Sequence, residues 1–437
     1  MKKIVIFTLS LLWTLSLFSQ KQDEIRELTN SEKILGLSRL WEGVKNNFVY
    51  YDQLNFSWDS LYAASIPKIL DIKDTYSYIR ELERIIATVK DGHTFIISNI
   101  HIDIEKKTPA PFITKLINGK VLVDRLWSPE LAQKEVARGV EVTAINGMDV
   151  KQYGEKVIGQ YIPSSTPQWL QHEVFNKFNL TRGEVTTPIN IEFYNGQNKF
   201  NIEFDRRKTL EIKPTDKSEL NVSPTLKYTT LDNNIGFLKI GDFMNSSFTQ
   251  LFDSIYTIIL QSNALIIDLR DNEGGNSNNA DYILTHLSSD PIKTCSWSSR
   301  MYIPAHASWH YPEEWYLSSS DYLTPQEKEI YNKPVTVLIN SGTFSSAEDF
   351  CVKFRGMKRG KLIGTTTGGS TGNGVKITLI EKVVSANICS KKDIAPDGTV
   401  FVGVGVIPDI EVKETEQSFI NQKDIVLEKT ISELLKN

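Results

Sequence analysis

Apolar residues recur at Ile34, Leu37, Trp41, Val44 and Phe48, three and four positions apart, and draw one stripe along a helix. Thr29 and Glu32 stand where a capping box would open it. Ile79, Leu82, Ile86 and Val89 make a second stripe, and Gly92 reads as the stop of that helix, with His93 just beyond. After about residue 105 the period changes. Residues 120–124 and 189–193 read as strands, with turns at Asn118-Gly119 and Asn195-Gly196. Val140, Val142 and Ala144 alternate with polar residues before a turn at Asn146-Gly147. From residue 226 strands and helices alternate: a strand over 235–240, a helix over 246–261, and nearly unbroken apolar runs at 264–269 and 335–339. Such runs fit strands buried on both faces, so this part predicts an α/β layer around a partly parallel sheet. Residues 288–330, rich in Ser, Tyr, Trp and Pro, interrupt the rhythm as an insertion over one end of the sheet. Their rings are expected either to cover a cleft or to pack on the sheet edge.

The start of the chain has a different character. Lys2 and Lys3 precede an apolar stretch over 4–18, followed by Ser19 and a polar run. This is the layout of a secretory signal peptide over 1–20, and the stretch is short for a membrane span of about 20 residues. The resulting expectation is an exported protein, periplasmic or extracellular, with no membrane span after cleavage. The chain of 437 residues allows about three domains. The expected organisation is a helical region over 21–104, a β-rich domain over 105–212 and an α/β core over 226–437. A formal charge of −4 argues against a nucleic-acid partner. Cys295, Cys351 and Cys389 lie far apart with no CxxC, so neither a disulfide framework nor a zinc knuckle is implied.

Four segments carry candidate chemistry. In "NSGTFSSAEDF", residues 340–350, a buried strand ends, a turn follows and a helix begins near Ser345. A serine there sits where open sheets bind ligands, beside N–H groups able to stabilise an oxyanion. Ser345 with Glu348 also reads as a plain capping box. In "IIDLRDNEGGNSNNA", residues 266–280, Gly274 and Gly275 let the backbone approach a ligand, and Asp268 with Arg270 reads as a structural pair. "KDGHTF" places His93 as a base beyond a helix end. "IGTTTGGSTGNG", residues 363–374, is a glycine-rich loop without the ending of a phosphate loop. His306 and His310 share helical spacing without the zincin glutamate, and Pro304 argues against a helix there. No metal and no cofactor are expected.

Together, "DGHT", "IDLRDNEGG", "TFSSAED", "IGTTTGGSTGNG" and "GVGVIPDIEV" (residues 403–412) resemble the tail-specific and tricorn-core serine peptidases over nearly all of the mature chain. "ARGVEVTAINGMDV", residues 137–150, resembles the strand and turn of PDZ domains in bacterial proteases. The resemblance implies a multidomain α/β protein with a helical region, a PDZ-like domain and an α/β peptidase core. It implies Ser345 as nucleophile, Ser346 as one oxyanion donor, and Gly274 or Gly275 as the other. One branch of the family uses a lysine base, and Ser370 stands at that position here. The tricorn-like branch uses histidine, which His93 matches. In that branch a serine before the histidine links it to a glutamate, whereas here the residue is Gly92; Glu381 and Asn387 are the candidates for the orienting group. The implied function is an exported serine endopeptidase acting on envelope or extracellular peptides or proteins, with tails held by the PDZ-like domain. A non-catalytic peptide-binding relative and a hydrophobic-ligand carrier are the alternatives.

Overall fold

The computed structural model describes residues 26–100, 107–211 and 225–436. The signal peptide expected over 1–20 lies outside the described residues. Three helices open the described chain: α1 (Asn30–Asn47), α2 (Trp58–Asp71) and α3 (Thr75–Ala87). The capping box forms as read, with Thr29 accepting the Glu32 N–H and Glu32 accepting the Thr29 N–H at 2.9 Å. All four residues of the second stripe are buried. Gly92, however, is not the stop of α3. The helix ends at Ala87, and Lys90, at φ 54, makes the left-handed step that a terminating glycine would have made. A short strand follows, β1 (Phe95–Ser98).

The middle of the chain builds an antiparallel sheet from β2 (Phe112–Ile117), β3 (Lys120–Leu126) and β4 (Glu141–Ile145). Helix α4 (Pro167–Phe175) comes next, then β5 (Ile189–Tyr194) and β6 (Lys199–Phe204). These strands lie in sequence order, and Met148–Asp149 folds back on β4. Asn118 and Gly119 both take positive φ, 49° and 80°, as a two-residue hairpin demands. Alternation puts Ile189, Ile191 and Phe193 on one buried face, which closes a core from this region's own residues. Helix α4 lies along β2, where the Asn176 side chain accepts the Leu116 N–H at 2.9 Å.

The last region contains β7 (Leu226–Leu231), β8 (Ile235–Ile240), α5 (Phe248–Gln261), β9 (Ala264–Asp268) and α6 (Ser277–Leu284). After these come β10 (Ser296–Met301), β11 (Glu314–Ser318), β12 (Val335–Ile339), α7 (Ser346–Gly356) and β13 (Gly360–Gly364). The chain closes with β14 (Gly374–Ile380), β15 (Val384–Cys389), β16 (Lys392–Ile394), β17 (Ile410–Glu411) and α8 (Ile425–Leu434). Six strands form the main sheet in the order β17-β13-β12-β9-β8-β7. Only β7 runs antiparallel to its neighbour. β9 and β12 are buried at every position, as their unbroken apolar runs require.

The helical region does not close a core alone. Leu37, Val44 and Ile79 pack in one cluster with Leu379, Val384 and Ile388 of the β14–β15 hairpin. Chain continuity reinforces this, because β1 pairs with β15. The insertion is fastened to the same region. β10 pairs with β11 and β16, Arg300 donates to the Lys45 carbonyl at 2.7 Å, and Trp315 packs on the helical cluster. Trp297 and Tyr316 pair with each other at 5.3 Å, while Trp309 and Tyr311 are largely exposed. Among the described residues, the rings of this segment pack on the helical region and on one another, and Trp297 also lies under the Lys391 ammonium at 5.9 Å.

Candidate active site

The main sheet delivers its parallel strand ends to one edge, where the turn after β12 is tied to the end of β9. Thr343 donates its hydroxyl to the Leu269 carbonyl at 2.8 Å and accepts the Asn340 N–H at 3.1 Å. Ser345 then enters α7 at φ 55, ψ −128, a conformation that costs a non-glycine residue about 1–3 kcal/mol. The expected capping box at Ser345 and Glu348 does not form, and Ser345 makes no side-chain cap bond. Its backbone angles turn the hydroxyl away from the helix start, and the Glu348 carboxylate is bound elsewhere.

The Ser345 hydroxyl meets His93 instead, with Oγ 2.9 Å from Nε2. His93 is held by its own short turn. Asp91 accepts the Thr94 hydroxyl at 2.6 Å, Thr94 Oγ1 accepts the Cys389 N–H at 3.0 Å, and Asn387 donates to the His93 carbonyl at 2.6 Å. The imidazole stacks on Phe344, 5.0 Å between centroids and 6° between planes, and Phe344 stacks on Trp169 of α4 at 3.9 Å. Close burial pushes the His93 pKa down to about 4, and the positive charge of Lys391 adds to this. The ring is therefore neutral at pH 7, the state a base requires.

Gly92 acquires its reason here. A Cβ would stand 2.8 Å from the Phe344 ring and 3.2 Å from Ser370 Oγ, so the glycine permits the close approach of two loops. Gly92→Ala is expected to push His93 off Ser345 and lower kcat by at least about tenfold, since small misplacements of a reacting group are costly. Its thermal midpoint should fall as well, and a variant unchanged in both would contradict this role.

Neither orienting candidate reaches the imidazole. Glu381 is exposed in the turn between β14 and β15. Asn387 touches the His93 backbone carbonyl, not the ring. The ring's other nitrogen, Nδ1, lies 2.8 Å from Ser370 Oγ. Behind Ser370, Glu348 accepts the Ser370 N–H at 2.8 Å on one oxygen; the other accepts the Gly369 N–H at 2.8 Å and the Thr367 hydroxyl. Burial pushes the Glu348 pKa up to about 8, against these three hydrogen bonds, which favour the anion. Ser370 and Glu348 were both visible in the sequence, one as the residue at the lysine position and one as a helix-cap acid. No sequence spacing joins them to His93.

The two glycines separate in role. The Gly274 N–H is donated to Asn272 Oδ1 at 2.8 Å, which leaves Gly275. Among the described residues, neither the Gly275 N–H nor the Ser346 N–H has a protein acceptor. Gly274, at φ 93, lies against the serine: a Cβ there would stand 2.8 Å from Ser345 Cβ and 2.9 Å from Ser346 N. The Ser346 hydroxyl is buried without a partner, so of the two serines only Ser345 is bonded to His93. Asp268 and Arg270 form the expected pair at 2.8 Å, and Arg270 also holds Asp424 at 2.8 Å.

Pro304 does not prevent a helix. It occupies the first turn of a short one, Pro304–Ser308, where a missing N–H costs nothing. His306 there lies 3.4 Å from Glu314. His172, Glu173 and Glu273 do bring ligand atoms within 4.8 Å of one another. The Lys177 ammonium already bridges those two glutamates.

A serine at a strained helix start, a neutral histidine bonded to it and two backbone N–H groups beside it make an arrangement suited to nucleophilic acyl transfer. Residues 234–412 match the family model described as Peptidase family S41. A curated relative is the carboxy-terminal processing protease CtpA of Bacillus subtilis (strain 168). It is 26% identical over 230 residues, covering 52% of this chain and 43% of that protein. The chain thus matches less than half the length of this relative. The crystal structure of mature CPAF superposes with a TM-score of 0.72 at 14% identity, covering 93% of this chain and 98% of that one. The photosystem II D1 C-terminal processing protease superposes with a TM-score of 0.51 at 18% identity, covering 88% and 94%. These likenesses establish a shared multidomain α/β fold.

Proposed function

We propose that this chain is an exported serine endopeptidase that cleaves envelope or extracellular peptides and proteins through an acyl-enzyme on Ser345. The contact that carries this reading is the 2.9 Å approach of Ser345 Oγ to His93 Nε2 at the start of α7. A serine hydroxyl is a weak nucleophile until a base takes its proton. Neutral His93 accepts that proton as Oγ attacks the substrate carbonyl, then returns it to the leaving amine. The N–H groups of Ser346 and Gly275 bind the oxyanion. Water, activated by the same histidine, releases the acyl group. Export rests on the leader at 1–20, and the substrate class follows from it.

The middle domain is the PDZ-like module of this reading. On its β2 edge the Leu116 N–H is already taken by Asn176, so a substrate tail added as a strand there must displace that amide. The opposite edge strand, β6, is the alternative place of addition.

A fluorophosphonate probe tests the reading directly: the wild-type protein should be labelled and Ser345→Ala should not. An unlabelled wild-type protein would favour the non-catalytic, peptide-binding alternative. Gly275→Ala tests the oxyanion assignment. Gly275 sits at φ 138, and a Cβ would stand 2.6 Å from the Phe243 carbonyl carbon, so the loop must shift and carry its N–H away. The expected loss in kcat is about 10²–10³-fold, the usual effect of removing one such donor. A rate within twofold of wild type in a folded variant would return the role to another group.

A further inference from the structure

Three consecutive facts about the loop over 363–374 stand apart from the mechanism above. Ser370, fully buried, places its hydroxyl 2.8 Å from His93 Nδ1. Its N–H is bound at 2.8 Å by Glu348, one turn along α7 from the nucleophile. The next acid on that helix, Asp349, accepts the hydroxyl of the next loop residue, Thr371, at 3.2 Å. The helix that carries the serine therefore grips the loop that meets the histidine. The Ser345 N–H closes the ring by donating to the Ser370 carbonyl at 3.0 Å.

We propose that Ser370 is the positioning residue of the histidine base, and that Glu348 acts through it by fixing the loop. The proposal rests on the peptidase reading for its kinetic consequence, not for its geometry. The imidazole has two nitrogens, and Nε2 must be free of a proton to accept one from Ser345. The neutral ring then carries its proton on Nδ1 and donates it to Ser370 Oγ. A carboxylate in this place would orient the ring and also stabilise the imidazolium. A hydroxyl orients it without adding a charge. Among the charged groups of the described residues, Lys391 opposes protonation of the ring, while Asp91 accepts the His93 backbone N–H. The site thus selects a tautomer while leaving His93 a weak base. Glu348 is committed to three donors from the loop, so its contribution is to the placement of Ser370.

The test compares wild type, Ser370→Ala, Ser370→Asp and Glu348→Gln in the full chain. Histidine is labelled with 15N, and His93 is assigned by its loss in His93→Gln. At pH 7 the wild-type ring should show a protonated Nδ1 and an unprotonated Nε2. In Ser370→Ala and Glu348→Gln the two shifts should move toward the averaged values of a ring without a fixed tautomer. The same variants should lose kcat at least about tenfold with little change in KM, the pattern of an interaction that matters in the transition state. Ser370→Asp places a negative charge beside the ring, so the acid limb of kcat/KM should move up by at least about one pH unit. A merely structural role would leave that limb where it is. Wild-type tautomer and rate in folded Ser370→Ala would overturn the proposal. So would a protonated Nε2 in the wild-type protein. Failure of the peptidase reading shows separately, as a wild-type protein that labels with no serine probe, while the tautomer still reports on Ser370.

Discussion

Replacing Ser345 by alanine is expected to abolish peptide hydrolysis, by about 10⁴–10⁶-fold in kcat if the serine works as the unit it forms with His93. The same change removes no helix cap, because Ser345 makes no cap bond. The roughly 1 kcal/mol usually lost with a capping serine should therefore be absent. Ser345→Gly separates function from stability further. At φ 55, ψ −128 a glycine is relieved of a strain that serine and alanine both bear. That variant should be equally inactive yet more stable than Ser345→Ala by about 1 kcal/mol or more, read from denaturant midpoints. Activity surviving in Ser345→Ala but lost in Ser346→Ala would assign the nucleophile to the neighbouring serine. The structure argues against that outcome, since the Ser346 hydroxyl is buried with no partner.

Removal of His93 has the second largest expected effect. His93→Ala should cost at least about 10⁴-fold in kcat, while Lys376→Ala should leave the rate unchanged. Lys376 is exposed on β14, and the partner of the Ser345 hydroxyl is His93. The pH profile adds a sharper expectation. An unperturbed histidine would give an acid limb near pH 6–7. Burial lowers the His93 pKa to about 4, which favours the neutral form. The base is then lost only as pH falls toward 4, and kcat/KM should still be near its plateau at pH 6. An acid limb at about 6.5 in the wild-type enzyme would mean that the ring is more hydrated than its packing against Phe344 implies.

The parts of this site differ in how readable they were. Ser345 could be placed from its sequence because its position is local: an apolar strand over 335–339, a small-residue turn, then a helix. His93 likewise sits in a compact turn, closed locally by the Thr94 hydroxyl on Asp91, although Cys389 and Asn387 of β15 also hold it from far along the chain. The glycine at 92 was legible as special but for the wrong reason. Helix termination is a local property, whereas the constraint on Gly92 is the approach of Phe344 and Ser370 from distant parts of the chain. Glu348 follows the same pattern. Its spacing from Ser345 satisfies a cap in sequence, and only the loop folded onto α7 gives the carboxylate better partners.

What the sequence alone determined is what short-range physics can encode. Periodicity set the three regions and most strand and helix positions; the Asn-Gly pairs set the hairpin turns; the buried apolar runs of β9 and β12 set the parallel sheet. Each depends on residues within about ten positions of one another. The tertiary structure decided everything that joins sites far apart in sequence. It made the helical region share its core with β14 and β15, which bolts the histidine's turn to the sheet that follows the serine. It tied the Gly274 N–H to the Asn272 side chain and left the Gly275 N–H without a protein acceptor among the described residues. It brought Ser370 to His93 from 277 positions away in sequence, and it set Trp169 of the middle domain behind Phe344. Such partnerships leave no periodic trace in the chain. Their energies come from burial and hydrogen-bond geometry in three dimensions, and a residue's spacing in sequence carries no information about either.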